Sequence, residues 1–120
     1  MKIRNFALAI ATGLATLMGS AALHAESMVT DHDTLNGYST MTYHNIYLDG
    51  GQNAAVAVQG SGNTFLRVSV YDYKNNLIAS TNCRVDTCVV RWVANWDANF
   101  YVTVQNLGAY PTSYGFALDR

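Results

Sequence analysis

The chain has 120 residues and a formal charge of −1; half of its residues are hydrophobic, 12% are aromatic and only 12% are charged. Its seven basic residues are scattered, so the sequence lacks the positive stripe that tracks a phosphate backbone, and nucleic acid is not an expected partner. An excess of Tyr, Thr, Asn, Gly and Val over charged residues is typical of an extracellular β-protein.

The first 25 residues have the order of a secretory signal peptide. Lys2 and Arg4 precede a short apolar stretch, and small residues follow it. Cleavage is expected after Ala25, with cleavage after Ala22 as the alternative. An uncleaved membrane anchor is the competing interpretation, but the apolar stretch is short for a span. We therefore predict a mature chain of about 95 residues that forms one small domain, is periplasmic or secreted, and is not inserted in the membrane.

The mature chain has two parts. Residues 26–40 are polar and aperiodic and are predicted to form a leader or an edge strand, while residues 41–120 form the main domain. In that domain, short runs of alternating apolar and polar residues are separated by Gly, Asn and Asp. These runs predict strands at 42–48, 53–59, 64–73, 77–80, 88–93, 99–106 and 113–119. Because each strand has one apolar face, the sequence predicts an all-β fold. We expect a small antiparallel β-sandwich of seven to eight strands, jelly-roll-like, with a small barrel as the alternative.

The two tryptophans are predicted to have different positions. Trp92 is in phase with Val90, so we expect it to enter the core at the end of its strand. Trp96 lies in the following turn, where it either folds as a lid over the open end of the sandwich or offers a ring on which a ligand stacks. On the strand at 64–73, the inward residues are predicted to be Leu66, Val68 and Val70.

Both cysteines, Cys83 and Cys88, lie in the exported part of the chain. An even number of closely spaced cysteines in an oxidising compartment predicts a disulfide, and the four intervening residues suit a bridge across a turn. The spacing differs from the CxxC motif of redox and metal sites, and no further ligands accompany the pair. A bridge that closes so short a loop is expected to stabilise the fold by about 2 kcal/mol.

Part of the sequence resembles a known family. A Gly-rich turn, the strand "LRVSVYD", an Asn-rich turn, a Trp-containing strand and "FYVTVQNLG" follow one another. The same succession is found in the pre-peptidase C-terminal (PPC)-like β-sandwich domains of bacterial exported proteins. The matching positions are 60–63, 66–72, 75–78, Trp92, Trp96 and 100–108. The resemblance implies a free-standing, exported β-sandwich domain.

The chain departs from this family in its acidic residues. Where the family pattern is rich in aspartate, the segment "SGNTFLRVSVYD" keeps Asp72 alone. Asp72, Asn75 and Asn76 offer oxygen atoms around a turn, but any Asx-rich hairpin does the same. We therefore predict no metal site and no cofactor.

The sequence does not combine a nucleophile, a base and an orienting group in any recognisable motif. The mature chain has two histidines, His32 within "DHD" and His44 in a predicted strand. No serine lies in a GxSxG context, and the carboxylates are dispersed among turns. We predict that the protein is not an enzyme.

Two functions remain. In the first, exposed tyrosines bind a protein or a glycan, because tyrosine combines a large apolar area with a polar tip. The candidate tyrosines are Tyr43, Tyr47, Tyr71, Tyr73, Tyr101 and Tyr110, and the predicted binding set is Tyr71, Tyr73, Trp96 and Tyr101. Outward tyrosines that merely pair across strands are the competing interpretation. In the second, the protein is a structural component of the cell envelope or extracellular matrix. It would then associate with itself through a sheet edge or through residues 26–40.

Overall fold

The computed structural model describes residues 28–61, 64–84 and 87–120 together with the backbone of residues 2–5; residues 6–25 of the predicted signal peptide lie outside the described residues. The strands within these ranges are β1 (Lys2–Asn5), β2 (Met28–Leu35), β3 (Thr40–Leu48), β4 (Asn53–Gly60), β5 (Leu66–Asp72), β6 (Leu77–Cys83), β7 (Thr87–Val93), β8 (Ala98–Asn106) and β9 (Thr112–Asp119). Across the described part of the chain, no helix is long and apolar enough to cross a membrane.

The strands form two sheets that pack face to face. One sheet has the order β1-β3-β8-β5-β6 and the other has the order β2-β9-β4-β7. All neighbours are antiparallel except β1, which pairs parallel to β3. Strands β2 to β9 have the arrangement of a jelly roll, since the chain crosses to the other sheet at every connection apart from the β5–β6 hairpin. The predicted all-β, jelly-roll-like sandwich is thus confirmed.

The polar stretch after residue 25 contributes a strand to the sandwich. Strand β2 is an edge of the four-stranded sheet and pairs with β9 along its whole length, from Met28 opposite Asp119 to Leu35 opposite Thr112. The side chains of Met28, Val29 and Leu35 are buried. Period-two patterning was hidden here because the middle of the strand, "TDHDT", is polar on both faces.

The side chains predicted to point inward do form the core between the sheets. Leu66, Val68 and Val70 are all buried, and Trp92 is only 5% exposed. The Trp92 ring packs against Phe100 of the neighbouring sheet, with 6.1 Å between ring centroids. Trp92 therefore enters the core, as predicted.

A β-bulge in β3 reverses the phase of the first half of that strand. The pairing of β3 with β8 is interrupted between Tyr43 and Ile46, and Asn45 has a φ of 62°. The extra residue lets both Tyr43 and Ile46 face the core, although an uninterrupted alternation ending in Ile46 and Leu48 would place Tyr43 outside. Tyr43 is fully buried. Its inclusion among the exposed tyrosines was wrong.

Tyr43 holds the two sheets together through its hydroxyl. The hydroxyl donates to Asp31 Oδ2 at 2.9 Å and lies 2.8 Å from the hydroxyl of Tyr114 on the opposite sheet. Its ring stacks on Phe116 with centroids 4.0 Å apart. Burial, reinforced by Tyr114 and Asp31, raises the pKa of Tyr43 far above its ordinary value of 10.0.

The predicted disulfide between Cys83 and Cys88 is present, with 5.5 Å between the two Cα atoms. Cys83 ends β6 in one sheet, and Cys88 lies near the start of β7 in the other. The bridge therefore joins two edge strands of different sheets and closes one side of the sandwich.

Candidate functional site: an aromatic surface at one end of the sandwich

Tyr71 and Tyr101 lie side by side on the outer face of the five-stranded sheet. They are directly opposite each other on β5 and β8, and their rings stack with centroids 4.9 Å apart and planes 15° apart. His44 of β3 lies beyond Tyr101, with 5.7 Å between ring centroids. Each tyrosine thus has one ring face covered by the other tyrosine. The pair offers ring edges, hydroxyls and the outer face of Tyr71 to a ligand.

The Tyr101 hydroxyl is tied to the β5–β6 turn. It donates to Asn75 Oδ1 at 2.9 Å, and Asn75 has a φ of 66°. Desolvation, followed by the proximity of Tyr71 and Asp72, raises the pKa of Tyr101. The hydroxyl therefore remains a hydrogen-bond donor at neutral pH.

Asp72 organises the same turn from below the surface. Its carboxylate accepts hydrogen bonds from the backbone amides of Lys74 and Asn76 at 2.9 Å each and from Asn76 Nδ2 at 3.1 Å. The hydrogen bond from the backbone amide of Asn76 is the main cause that lowers the pKa of Asp72. Because these donors occupy the carboxylate, and Asn75 Oδ1 already accepts from Tyr101, this turn offers no convergent set of ligands for calcium.

Tyr73 projects from this turn. It is 54% exposed, and Lys74 Nζ lies 5.5 Å from its ring centroid. The hydrogen bonds to Asp72 fix the backbone of the turn that contains Tyr73, so the Tyr73 ring projects from a well-defined position.

A second pair of aromatic side chains lies at the same end of the sheet. Tyr47 pairs with Asn99, two residues before Tyr101 on the same outer face, and is 48% exposed. Trp96 precedes Asn99 in the β7–β8 turn and is 56% exposed. Desolvation and the neighbouring carboxylates Asp97 and Asp49 raise the pKa of Tyr47.

The exposure of Trp96 overturns its interpretation as a lid. The β3–β4 loop closes this end instead: Gly50 N donates to Asp97 Oδ1 at 2.7 Å, and Gly51 N donates to the Ala94 carbonyl at 2.7 Å. A Cβ added to Gly50 would lie 3.1 Å from the Cα of Trp96, so the two loop backbones are already in close contact. With the end filled by backbone, the indole lies at the surface.

We define the aromatic surface as Tyr47, Tyr71, Tyr73, Trp96 and Tyr101. It contains the four residues of the predicted binding set and adds Tyr47, which no motif singled out. Tyr47 lies opposite Asn99 and on the same outer face as Tyr101. This position depends on the alternation of inward and outward side chains in the part of β3 that follows the β-bulge. Tyr110 is 82% exposed but lies in the β8–β9 loop at the opposite end of β8.

A groove of about 370 Å³ adjoins the aromatic surface. It is lined by Tyr71 and Leu77 together with polar side chains that include Arg67, Ser69 and Asn82. Arg67 Nε donates to Asn82 Oδ1 at 3.1 Å, which holds both side chains across the sheet. Aromatic and hydrogen-bonding groups are therefore adjacent, as in many ligand sites.

Two larger grooves lie on the outside of the four-stranded sheet. The groove of about 600 Å³ includes Arg91 and Asp119, and both residues already have interaction partners. The groove of about 460 Å³ is open and polar, and the Thr34 and Ser113 hydroxyls within it bond to each other at 2.7 Å. Neither is lined by any of the exposed large hydrophobic rings, so we favour the aromatic surface as the candidate site.

The histidines do not assemble a catalytic or metal site within the described residues. His32 is exposed on β2, whereas Asp31 faces the opposite side and contacts Tyr43. His44 lies on the other sheet, against Tyr101. In the described ranges, no group of three His, Cys, Asp or Glu residues could hold a metal ion.

Comparison with known proteins supports the fold. No model of a protein family matches the sequence, and a search of the curated protein sequences found no match. The structure is similar to the pre-peptidase C-terminal domain of a Bacillus anthracis collagenase, with a TM-score of 0.65, 14% identity, and coverage of 76% of this chain and 88% of that domain. The resemblance to PPC-like β-sandwich domains is confirmed for the fold.

Two further structures align over almost the entire chain. A periplasmic inhibitor of g-type lysozyme from Aeromonas hydrophila has a TM-score of 0.66 and 15% identity, with 98% of this chain and 96% of the inhibitor covered. The corresponding inhibitor from Salmonella Typhimurium has a TM-score of 0.61 and 11% identity, with 99% and 97% covered. At these identities the similarity defines the fold, a small β-sandwich, and assigns no partner.

Proposed function

We propose that the protein is an exported, non-enzymatic module that binds a protein or a glycan through the aromatic surface. The observation that carries this proposal is that three large rings, Trp96, Tyr73 and Tyr47, are about half exposed on turns and strand ends with a fixed backbone. Rigid, exposed aromatic rings lose little conformational entropy on binding, and they dominate the energetics of many interfaces.

Export is part of the proposal. The signal-like residues 1–25 are expected to be removed, and the Cys83–Cys88 disulfide suits an oxidising periplasmic or extracellular compartment. Mass spectrometry of the protein from its natural compartment should give a chain that begins at Glu26 or Leu23 and contains no free thiol. Retention of residue 1 in the exported protein would contradict this part.

Binding should be aromatic and polar in character, because the nearby acidic residues serve the turns. Asp72 accepts hydrogen bonds from its own hairpin, and Asp97 Oδ1 accepts from Gly50. Screening by salt weakens charge pairs much more than apolar contacts. The affinity should therefore change less than about twofold between low and high salt, whereas an ionic interface would lose much more.

The experiment uses two kinds of probe on the chain that begins at residue 26. A g-type lysozyme is the first protein to test, because inhibitors of that enzyme share the fold along almost the whole chain. An oligosaccharide array tests glycans. The double variant Trp96→Ala/Tyr73→Ser should lose binding by about tenfold or more, while Tyr110→Ser, which removes an exposed ring at the opposite end, should bind normally. Equal binding by both variants would exclude the aromatic surface.

A structural, self-associating role is the second candidate, and it depends on a different part of the molecule. It is favoured by the outer edge of β3, which pairs with a segment that export is expected to remove.

A further inference from the structure

The outer edge of β3 is occupied by the first residues of the chain. Strand β1 (Lys2–Asn5) pairs in parallel with β3, from Lys2 opposite Met41 to Asn5 opposite His44. The other edge of β3 pairs with β8. Removal of residues 1–25 would therefore convert β3 from an internal strand into an edge strand, and the backbone of Met41–His44 would lose its neighbour on that side.

This edge differs from the other sheet edges of the described residues in its lack of protection. Strand β2 carries two carboxylates, Asp31 and Asp33. Strands β6 and β7 are joined by the Cys83–Cys88 disulfide. Strand β3, "TMTYHNIYL", contains no Lys, Arg, Asp, Glu or Pro, the residues that usually prevent strand addition at an edge. The one feature of β3 that hinders strand addition is the β-bulge near Asn45, which limits pairing to the first half of the strand.

We propose that the mature chain associates with a second copy of itself by antiparallel pairing of the two β3 edges. The inference rests on the removal of residues 1–25 included in the proposed function, and it is independent of the aromatic surface. Two four-stranded sheets, β6-β5-β8-β3 and its copy, would join into one continuous eight-stranded sheet.

The sequence of the edge fits its own copy. A two-fold axis at Thr42 places Thr42 opposite its counterpart, Met41 opposite Tyr43 of the copy, and Thr40 opposite His44 of the copy. Because every pair combines residues an even number of positions apart, inward side chains meet inward ones and outward side chains meet outward ones. The pairs bring no like charges together at neutral pH, which is the usual obstacle to self-pairing.

A second copy of the chain would cover this edge completely. An isologous contact uses the same backbone groups on both chains and leaves neither edge open, so association stops at the dimer. A strand from a different protein would use the same edge but would leave the chain monomeric when it is pure. The oligomeric state of the pure chain therefore separates the two occupants.

The test uses the chain that begins at residue 26, with its start verified by mass spectrometry. Size-exclusion chromatography with light scattering should give about twice the monomer mass at high concentration and dissociation on dilution. Within residues 41–44, the alternate amides that point away from β8 should be protected from hydrogen exchange in the dimer and exposed after dilution, whereas those that donate to β8 should stay protected in both states. A monomer at every concentration would overturn the proposal.

Thr42→Lys and Thr103→Lys form a matched pair of variants, because Thr42 and Thr103 are opposite each other on β3 and β8. A lysine at position 42 would meet its own copy across the two-fold axis, so this variant should be monomeric. The same lysine at position 103 lies on an internal strand and should leave the dimer intact. A dimer that survives Thr42→Lys would place the interface elsewhere and overturn the proposal.

If Thr42→Lys fails to fold by circular dichroism, Thr42→Asp replaces it, because an aspartate is close to a threonine in size. Two aspartates would then meet across the two-fold axis, so this variant should also be monomeric. Both monomeric variants should still bind the ligand of the aromatic surface. A dimeric chain that binds no ligand through the aromatic surface would contradict the proposed function but not the dimer. A monomeric chain that still binds its ligand would contradict the dimer but not the proposed function.

Discussion

Tyr43 and Tyr101 lie on neighbouring strands of one sheet but on opposite faces of it. Tyr43 faces the core, where its hydroxyl bonds to Asp31 and Tyr114 across the two sheets. Tyr101 faces outward, where its ring stacks on Tyr71 and its hydroxyl reaches the next turn. Burial is the first cause that raises the pKa of both hydroxyls, and it does so far more for Tyr43. The same side chain thus joins the sheets in one place and forms a contact surface in the other.

The two tryptophans repeat this contrast within one connection. Trp92 ends a strand inside the core, and Trp96 occupies the turn that follows, at the surface. The difference teaches that residue type alone does not identify the working surface. Exposure and the rigidity of the backbone beneath a ring separate a structural aromatic residue from one available for binding.

The largest expected effect that tests this contrast comes from the tryptophans. Trp92→Ala should lower the free energy of unfolding by about 3–5 kcal/mol, because it leaves a large cavity in a small core. Trp96→Ala should lower it by only about 1 kcal/mol, since the residue is 56% exposed. Urea unfolding followed by circular dichroism measures both values. Similar losses from both variants would mean that Trp96 also supports the core.

The next effect distinguishes the two tyrosines. Tyr43→Phe should cost about 1–3 kcal/mol, because it leaves buried polar atoms of Tyr114 and Asp31 without one of their partners. Tyr101→Phe removes a single exposed hydrogen bond and should cost about 0.5 kcal/mol or less. Equal costs in urea unfolding would show that the hydroxyl bonds between the sheets contribute no more than a surface contact.

Alkaline pH should reveal the same difference without a large structural change. The pKa of Tyr43 is raised above its ordinary value of 10.0, so the stability it contributes is fully present below that pH. At higher pH the unfolded chain releases this proton and the folded chain keeps it, so stability should fall by up to about 1.4 kcal/mol per pH unit.

Unfolding by urea between about pH 9 and about pH 11 measures this decline. The slope should become shallower in Tyr43→Phe and change less in Tyr101→Phe. An unchanged slope in Tyr43→Phe would assign the alkaline sensitivity to another group.

A small effect on stability is expected at the outer pair. Tyr71→Ser removes the stacking contact with Tyr101, and Tyr101→Ser also removes the contact with His44 and the hydrogen bond to Asn75, so unfolding should become easier by about 0.2–1 kcal/mol, with Tyr101→Ser at the upper end. Ligand binding should nevertheless weaken by about tenfold, because both rings belong to the aromatic surface. Isothermal titration on folded variants separates the two quantities. Weakened folding with unchanged affinity would favour ordinary cross-strand pairing as their only role.

Much of the fold was predictable because strand alternation is a local property. The positions of Leu66, Val68, Val70 and Trp92 followed from period two, and the disulfide followed from cysteine count and compartment. The burial of Tyr43 did not follow, since it depends on one inserted residue near Asn45. A bulge is tolerated or rejected according to how well both halves of the strand then pack, and that packing involves the other sheet.

The candidate site was predictable only in part. Tyr71 and Tyr101 were predicted among the outward tyrosines, and the structure places them opposite each other on β5 and β8. That Tyr47 and Trp96 lie at the same end of the sheet could not be predicted, because it requires the register of β3 with β8 and the approach of Gly50 to the Trp96 backbone.

By itself, the sequence determined the fold class, the strand positions and most inward faces, because the hydrophobic effect acts on a period that is written locally along the chain. The tertiary structure decided the order of the strands, the inter-sheet role of Tyr43, the exposure of Trp96 and the assembly of the aromatic surface. These features depend on contacts between residues distant in sequence, and such contacts form only when two sheets pack together and settle a register that no single segment specifies.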